Sequence, residues 1–583
     1  MKYYARLARQ GGMRYVEPRQ AVDPDAAPGK LPGRLPVGKK FRPPAGEYFV
    51  VDLVDNAIAG VEETTWRPPA RPAAPAEARP GTQGWATTGR PAARSAGPGS
   101  ARFSNPYGFV PFDYTNKLLA RRDHRLAAGL AHGPARSQAV WHGDSYSGKL
   151  ALRLETTSPL LTLEVQQAGQ KKPDRSAKFS VRRDREGNPI IGGASIKGVL
   201  RVLFEAVTDS RLAVFGHDKP LSRWVDREKV TFPYSPADLL GPLRRPARRA
   251  EEMSAADRVF GWVPGKGGDE RGVRGLLRCG GVRCDKEVKS PPLGTGASWL
   301  IASLSVPRPT QARFYLVTLD GDEPEPFTGG PREFYTHQEL AGFKVYPHHR
   351  LEPGSDYWDF PAEGWAASPG DPADHPKDSR GHFKNYLAAR GAKPLGAMLI
   401  DGFVGIGSQF ETTLYFDDLS RADLAALLWV LRLGAVRPED PPGPRHHRLG
   451  QGKALGFGSV ALTIDWGRST LLTAADVFNR YAAGSAKSSF SEADCTALMA
   501  EYDDLLHSTV PAIRRSIIHA ASGLELPIHT PRLAEGATGE VPPQTETYKW
   551  FVQNDRGLRL ALQPLADDDV TLPADPRRPR GAR

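Results

Sequence analysis

A change of hydrophobic period near residue 192 constrains the fold of this chain more than any other feature. The residues before Gly192 and Gly193 favour extended structure, whereas from Ser195 to Val207 apolar residues recur about every 3.6 positions. Ser195 is of a type that caps first helical turns. The sequence therefore predicts a strand that passes through the glycine pair into an amphipathic helix. The apolar stripe of that helix consists of Ile196, Val199, Leu200, Leu203 and Val207.

Other segments show the same two periods and predict a mixed α+β fold. Ser420 and Asp423 resemble a capping box with Asp in the Glu position, and the helix that follows them ends near Gly434. Further strands are expected from alternating or β-rich apolar patterns. These predicted strands cover residues 47–54, 148–157, 160–165, 299–306, 313–319, 410–416 and 459–464.

The chain divides by composition into four parts. The stretch 66–100 is rich in Pro, Ala and Gly and is interpreted as a flexible linker, because it has too little apolar surface to offset chain entropy. Before it, residues 1–65 form a small β-containing region. After it come a main α+β domain over 101–470, with an insertion at about 320–400, and a helical C-terminal region over 471–583 with a frayed tail.

The charge balance points to a polyanionic partner. A formal charge of +12 and a pI of about 9.5 favour nucleic acid, although a genome with GC-rich codons produces a similar excess of Arg. Three cysteines exclude a disulfide framework and do not complete a four-ligand zinc set. No long apolar run and no signal-peptide pattern are present, so we expect a cytoplasmic protein without a membrane partner.

The strand-to-helix turn at the glycine pair is the first candidate RNA contact. Gly193 permits close approach of a phosphate, and the helix that carries Ser195 offers free N–H groups and a partial positive charge. Lys197 and Arg201 lie four residues apart on one helical face, where they can grip successive phosphates. The alternative is an ordinary turn with two solvated basic residues.

A basic stretch precedes that turn and is the second candidate. Such a hairpin can lie along an RNA backbone and release counterions, while a solvated surface loop is the alternative for each single residue. The candidate contacts are Lys171, Lys172, Arg175, Lys178, Arg182 and Arg183.

A glycine-rich loop over residues 449–458 is the third candidate. It is not a nucleotide-triphosphate loop, because Lys453 is followed by Ala454 rather than Ser or Thr and the glycine spacing differs. Flexible glycines beside basic residues suit a sugar–phosphate backbone, and a plain hairpin is the alternative. The candidate contacts are Arg448, Gly450, Gly452, Lys453, Gly456 and Gly458.

Histidines form the fourth group. His337, His348 and His349 can act as general acid–base groups in RNA cleavage, with His348 as the candidate catalytic residue. A structural or solvated role is the interpretation that the pattern favours, since neighbouring histidines point in different directions on most backbones.

These motifs, in this order, resemble the RAMP superfamily of CRISPR-associated proteins. The segment 193–201 is similar to the family signature Gly-Ser-Ser-Ile/Leu-Lys-Gly-x-Leu-Arg, with Ala194 in place of the first Ser and Gly192 where Pro is common. The segment 449–460 looks like the family's glycine-rich loop. The segments 105–107 and 342–349 are similar to a large group from type III loci, and the resemblance covers about residues 103–466.

The resemblance implies an RRM-like, ferredoxin-type βαββαβ core with large insertions. It implies a guide-RNA-binding backbone subunit of a type III CRISPR RNA-targeting effector complex, with guide RNA, target RNA and other effector subunits as partners. RNA binding needs no cofactor. Some family members cut the target with an acidic residue before the signature and a divalent metal, Mg or Mn; Asp174 is the candidate, although the alignment places Ala177 or Lys178 opposite the family residue.

Two other functions remain open from the sequence. One is the RAMP-type endoribonuclease that matures the guide precursor, in which a histidine serves as general base. The other is an RNA-binding protein outside any guided system. The long insertions and the basic stretch before the signature favour the backbone subunit.

Overall fold

The computed structural model divides the chain into two compact units, residues 1–90 and 91–583. The residues that it describes are 2–10, 13–21, 35–37, 48–54, 57–63, 101–165 except 138 and 141, 178–213, 215, 222–225, 228–231, 235–264, 272–290, 297–304, 311–319, 324–329, 338–365, 371, 374–389, 398–484, 488–533, 541–543, 547–567 and 569–577.

The N-terminal unit contains a five-stranded antiparallel sheet in the order β3-β2-β1-β4-β5. Its buried side chains include those of Ala5, Val16, Val50 and Val51. The strand predicted at 47–54 is confirmed as β4. The other four strands were not predicted, because Arg, Gln or Pro interrupts the apolar alternation of β1, β2 and β3, and β5 is made mostly of Ala, Gly and Glu. The proposed linker at 66–100 lies outside the described residues. The strands are β1 Lys2–Gln10, β2 Met13–Ala21, β3 Leu35–Val37, β4 Tyr48–Val54 and β5 Ala57–Glu63.

The described part of the second unit mixes helices and strands. Its strands are β6 Arg102–Ser104, β7 Gly108–Val110, β8 Tyr146–Thr156, β9 Leu163–Val165, β10 Lys178–Val181, β11 Ser222–Val225, β12 Glu228–Thr231, β13 Leu277–Cys279, β14 Arg283–Lys286, β15 Lys289–Ser290, β16 Trp299–Ile301, β17 Leu316–Thr318, β18 Glu325–Pro326, β19 Gln338–Leu340, β20 Phe343–Val345, β21 His349–Arg350, β22 Met398–Ile400, β23 Phe403–Val404, β24 Gln409–Leu419, β25 His447–Arg448, β26 Ser459–Thr473, β27 Leu524–Glu525 and β28 Thr571–Pro573. Its α-helices are α1 Lys117–Ala120, α2 Arg125–Gly129, α3 Gly193–Val207, α4 Ala255–Phe260, α5 Ala312–Tyr315, α6 Arg421–Arg432, α7 Ala474–Ala483, α8 Glu492–Thr509, α9 Pro511–Ser522 and α10 Tyr548–Arg556.

One antiparallel sheet, the central sheet, organises this unit. Its strand order is β13-β24-β8-β26-β25, and β14 also pairs with β24. Along β8 the side chains of Leu150, Leu152 and Leu154 are buried, and those of Lys149 and Arg153 are exposed. This period of two gives the sheet one face toward the core and one toward solvent.

Helices α3 and α6 cover the buried face. Along the chain the elements run β8, α3, β13, β24, α6, β26. They form two strand–helix–strand units, β8-α3-β13 and β24-α6-β26, whose first strands, β8 and β24, are neighbours in the sheet. Ile196, Leu200 and Phe204 of α3 share one core with Leu150 and Leu414 of the sheet. The hydrophobic patterns predicted β8, α3, β24, α6 and β26, because each carries its own apolar period, but they did not predict the three-residue strand β13.

The caps of the two helices differ from each other. Ser420 accepts a hydrogen bond from the Asp423 N–H at 3.1 Å, and α6 ends at Leu433, which has a φ of 56°. In α3, by contrast, the N-cap is Gly192, and the predicted cap at Ser195 is wrong. The reason is that the Ser195 N–H already donates to the Gly192 carbonyl at 2.8 Å, which places Ser195 inside the first turn.

The middle of the chain departs most from the predicted strands. The strand predicted at 299–306 is limited to β16, and the one predicted at 313–319 begins as helix α5 before β17. Arg313 in α5 forms an ion pair with Asp555, a contact that local pattern does not reveal. Strands β16, β22, β10 and β9 form a second sheet, whose core is aromatic. Its largest buried members are Trp299, Tyr357, Trp358, Trp365, Tyr386 and Phe457.

Helices α8 and α9 pack beside α6 through a buried ion network. Asp503 of α8 accepts from Arg514 of α9 at 2.9 Å and from the Trp429 indole of α6 at 2.8 Å. Arg514 also donates to Asp440 at 2.8 Å. None of the helices in the described part of the chain combines the length and apolar character needed to cross a bilayer.

Candidate nucleic-acid interface

A groove of about 520 Å³ brings together segments that lie far apart in the sequence. Its walls come from the segment before α3, one side of α3, the strand β20, the end of α9 and the glycine loop 449–458. The groove therefore joins three of the four predicted motif groups. Its polar lining residues include Thr162, Arg182, Ser195, Lys344, Tyr346, His446, His447, Arg448, Gln451 and Lys453.

The charge of the groove has one sign. Arg182, Lys344, Arg448 and Lys453 line it, and no Asp or Glu does so among the described residues. Cations without carboxylate partners are costly when they lose water. A groove of this composition favours an anionic ligand over a neutral one.

The first turn of α3 contributes the positive end of a helix dipole. Gly192 and Ser195 line the groove, and no side chain caps this helix. The N-terminal N–H groups of a 15-residue helix carry partial positive charge and bind anions. The next part of the wall is apolar and consists of Gly198, Val199 and Val202.

The two basic residues of α3 have different environments. Arg201 donates to Glu205 at 2.8 Å, to Asp257 at 2.9 Å and to the Gly261 carbonyl at 2.8 Å, so it joins α3 to α4. Lys197 is half-buried, and its side chain has no hydrogen-bond or ion-pair partner within the described chain; burial lowers its pKa. Neither residue lines the groove, and the structure does not bring them to the other candidates.

The basic stretch before α3 is described only from Lys178 onward. Arg182 lines the groove, and its side chain is 59% exposed with Glu164 at 3.9 Å. Arg183 instead forms a bidentate ion pair with Glu287, at 2.7 and 3.0 Å. This pair holds the segment before α3 against the edge of the central sheet. Lys178 lies 3.9 Å from Asp401. Lys171, Lys172, Asp174 and Arg175 lie outside the described residues.

The glycine loop is closely packed against its neighbours. Gly458 has a φ of 77°, and a Cβ there would collide with the Leu449 carbonyl oxygen. A Cβ on Gly456 would lie 2.5 Å from His349 Nδ1. Gly452 also has a positive φ, of 69°, and Gly450 lines the groove. These glycines are needed to close the loop, because a side chain at Gly456 or Gly458 would collide with its neighbours.

Arg448 and Lys453 play separate roles in this loop. The Arg448 guanidinium points inward, donating to the Lys453 carbonyl at 2.6 Å and to Ser459 Oγ, and burial lowers its pKa to about 9. The Lys453 ammonium group has no hydrogen-bond or ion-pair partner among the described residues. Burial, then the neighbouring Arg448, lowers the Lys453 pKa. Lys453 is thus the loop cation available to a ligand.

Lys344 is a groove residue that sequence reasoning did not select. Its ammonium group lies 3.7 Å from the centre of the Tyr107 ring and donates to Tyr315 Oη at 3.0 Å. Tyr346 is the third ring around it, at 5.6 Å. Aromatic faces hold a cation without neutralising it. The available signal was the segment 342–349 itself, which carries this lysine between two aromatic residues.

His348 is buried beneath the glycine loop rather than exposed to the groove. Its Nδ1 lies 2.7 Å from Ser459 Oγ, and its ring packs on His446 at 4.0 Å. Burial, with His446 and Arg448 nearby, lowers its pKa to about 2, and burial lowers that of His349 to about 3. This environment favours the structural role. His337 lies outside the described residues.

The described side chains offer no donor set for a divalent ion. No group of three or more His, Cys, Asp or Glu residues that can hold a metal occurs in the described ranges. Asp174, the candidate for metal-dependent cleavage, falls in the segment 166–177 that the structure leaves undescribed.

Comparisons with known proteins give one family match. The sequence profile of the RAMP superfamily matches residues 153–461. Similar solved structures include a chain of a type IV-B CRISPR complex (17% identity, 54% of this chain, 90% of that chain, TM-score 0.23). Others are Csc2 of Thermofilum pendens (12%, 66% and 85%, 0.23) and oligomeric Cmr4 of Pyrococcus furiosus (12%, 54% and 97%, 0.20). No curated protein matches.

Proposed function

This chain belongs to the RAMP superfamily, and on that premise we propose that it binds the guide RNA of a CRISPR effector complex in the groove beside α3. The observation that carries this proposal is the lining of four cations without a carboxylate. The match over residues 153–461 includes α3, β20 and the glycine loop of the groove wall, while the end of α9 lies beyond it.

The electrostatics explain why a phosphate backbone suits this groove. Burial and the neighbouring Arg448 lower the pKa of Lys453, because its charged form loses solvation and lies close to a second cation. A phosphate provides an anion beside Lys453, and each one bound also releases counterions from the RNA. The uncapped N-terminus of α3 adds N–H donors at the same wall.

The more specific assignment is a backbone subunit of a type III complex. It is supported by the resemblance of residues 342–349 and 105–107 to a type III group. The order β13-β24-β8-β26 with α3 and α6 on one face supports a ferredoxin-like βαββαβ core. On this assignment the partners are guide RNA, target RNA and other effector subunits, and the compartment is the cytoplasm.

Target cleavage is a separate proposal that depends on Asp174. A divalent ion would supply the charge stabilisation that phosphoryl chemistry needs. The alternative of guide maturation by a histidine base is less well supported, because His348 is buried, hydrogen-bonded to Ser459 and outside the groove lining.

The test is guide RNA retention by the full chain purified with its repeat array and partner subunits. We expect Arg182→Glu with Lys453→Glu to abolish retention, because two attractive contacts become repulsive. Arg122→Glu is the matched control, since Arg122 is exposed and outside the groove lining. RNA content equal to wild type in the double variant contradicts the proposal.

A further inference from the structure

An aromatic side chain that the groove does not use lies on the solvent side of the central sheet, here called the open face. Tyr415 of β24 is 43% exposed, whereas its neighbours Leu414 and Phe416 are fully buried. Strand alternation therefore directs Tyr415 away from the core that contains α3 and α6. A large aromatic ring that is exposed in the middle of a sheet suggests a ligand-binding role more strongly than an exposed ring at a loop tip does.

The strand register gives Tyr415 two basic neighbours. Arg278 of β13 stands directly opposite it on one side, and Lys149 of β8 stands directly opposite it on the other. Directly opposed residues have Cβ atoms about 5 Å apart. The result is a row of cation, aromatic ring and cation across three adjacent strands.

We propose that this row is a second binding surface for single-stranded RNA. One base stacks on the Tyr415 ring, and the phosphates on either side contact Arg278 and Lys149. Every base has a π-face, so stacking on an exposed aromatic tolerates any sequence. The surface lies on the opposite side of the sheet from α3, so it holds a different RNA segment from the groove. The inference rests on the proposed function only in taking RNA as the ligand.

Both cations are available to a phosphate. Arg278 pairs with Asp417 at 2.7 Å, but the side chains are 52% and 62% exposed, and such surface pairs contribute little to stability. Lys149 is exposed and has no ion pair within the described chain. At the other end of the open face, Arg153 is held by both Glu411 and Asp465. The RNA is therefore expected at the Tyr415 end.

The composition of the open face favours RNA over a protein partner. A stable protein interface buries about 800 Å² per partner around an apolar centre poor in charge. Around Tyr415 the open face instead presents Arg278, Lys149, Thr413 and Asp417. One ring between two cations matches a nucleotide better than it matches an apolar protein surface.

The test is the affinity of the full-length chain for a short fluorescein-labelled, unstructured RNA, measured by anisotropy. Tyr415→Ala is expected to weaken binding about tenfold, through the loss of one stacked base. Tyr415→Phe is expected to keep wild-type affinity, because the ring remains. Tyr481→Ala is the matched control, since Tyr481 is 84% exposed on α7. An iodouridine-containing RNA should crosslink at Tyr415 on irradiation.

The outcomes separate this inference from the proposed function. Equal affinity in Tyr415→Ala and Tyr481→Ala, with a loss in Lys453→Glu, overturns the second surface and leaves the groove proposal standing. A wild-type chain that binds no RNA overturns both. Loss of a co-purifying effector subunit from Tyr415→Ala, at unchanged RNA affinity, overturns the inference in favour of a protein interface.

Discussion

The groove and the open face of the central sheet carry the same kinds of basic side chain, yet they differ in how those charges are paired. In the groove Lys344, Arg448 and Lys453 have no ion pair within the described chain, and Arg182 has Glu164 only at 3.9 Å. On the open face Arg153 and Arg468 share Glu411, and Arg278 pairs with Asp417. Pairing, rather than the number of Lys and Arg residues, therefore decides which surface requires an anion and which only tolerates one.

The largest expected effect concerns a paired cation inside the protein. Arg201→Ala leaves Glu205 and Asp257, both buried, without their partner. We expect the free energy of unfolding to fall by about 3 kcal/mol, measured by urea denaturation. Lys197→Ala, one turn away and without an ion pair in the described chain, should cost less than about 1 kcal/mol. Equal losses of unfolding free energy in the two variants would show that ion pairing does not make Arg201 more important for stability than Lys197.

A somewhat smaller effect is expected when the unpaired cations are reversed. Lys344→Glu combined with Lys453→Glu should weaken binding of single-stranded RNA about 100-fold, because both residues line the groove without a carboxylate. The dependence of affinity on salt should also become shallower, by about 1.4 in the logarithmic slope for two lost phosphate contacts. An unchanged slope would contradict direct phosphate contact by these lysines.

The pH dependence of stability distinguishes the groove side from the open face, because His447 lines the groove and His348 is buried beneath the glycine loop. The pKa of His348 is lowered to about 2 and that of His447 to about 4, in each case chiefly by burial. Below about pH 6.5 the unfolded chain binds protons that the native histidines do not, so stability is lost as the pH falls.

We expect each of these histidines to cost about 1 kcal/mol between pH 6.5 and 5.5, measured as the free energy of unfolding. His348→Gln should flatten the curve by that amount. His507→Gln, at a 44% exposed side chain, is the control and should leave the slope unchanged. A His348→Gln curve parallel to wild type would contradict the burial of this ring in the native state.

The smallest effect is expected from a paired cation on the open face. Arg153→Ala should change RNA affinity less than about twofold, because Glu411 and Asp465 already neutralise that guanidinium. Anisotropy titration alongside Arg182→Ala of the groove provides the comparison. A loss of RNA affinity as large as that caused by Arg182→Ala would show that the ion pairs of Arg153 break when RNA binds.

Much of the central sheet and its two helices could be predicted from local pattern. Strands β8, β24 and β26 and helices α3 and α6 each carry a clear period, and the Ser420 cap is also local. The strand pairs of the N-terminal unit and helix α5 were missed. The N-terminal strands lack a clear apolar alternation, and α5 is held by a partner distant in the chain, Asp555 for Arg313, which no local signal encodes.

By itself, the sequence determined the periods of the main elements, the positive charge and the order of the motifs, because each of these is written in neighbouring residues. Only the tertiary structure decided that Arg201 forms an ion pair with Asp257 and Arg183 one with Glu287. It also decided that Lys344 lines the groove and that the Arg448 side chain points inward. The physical reason is that pairing and burial depend on distance in space, which residues far apart in the chain reach only after folding.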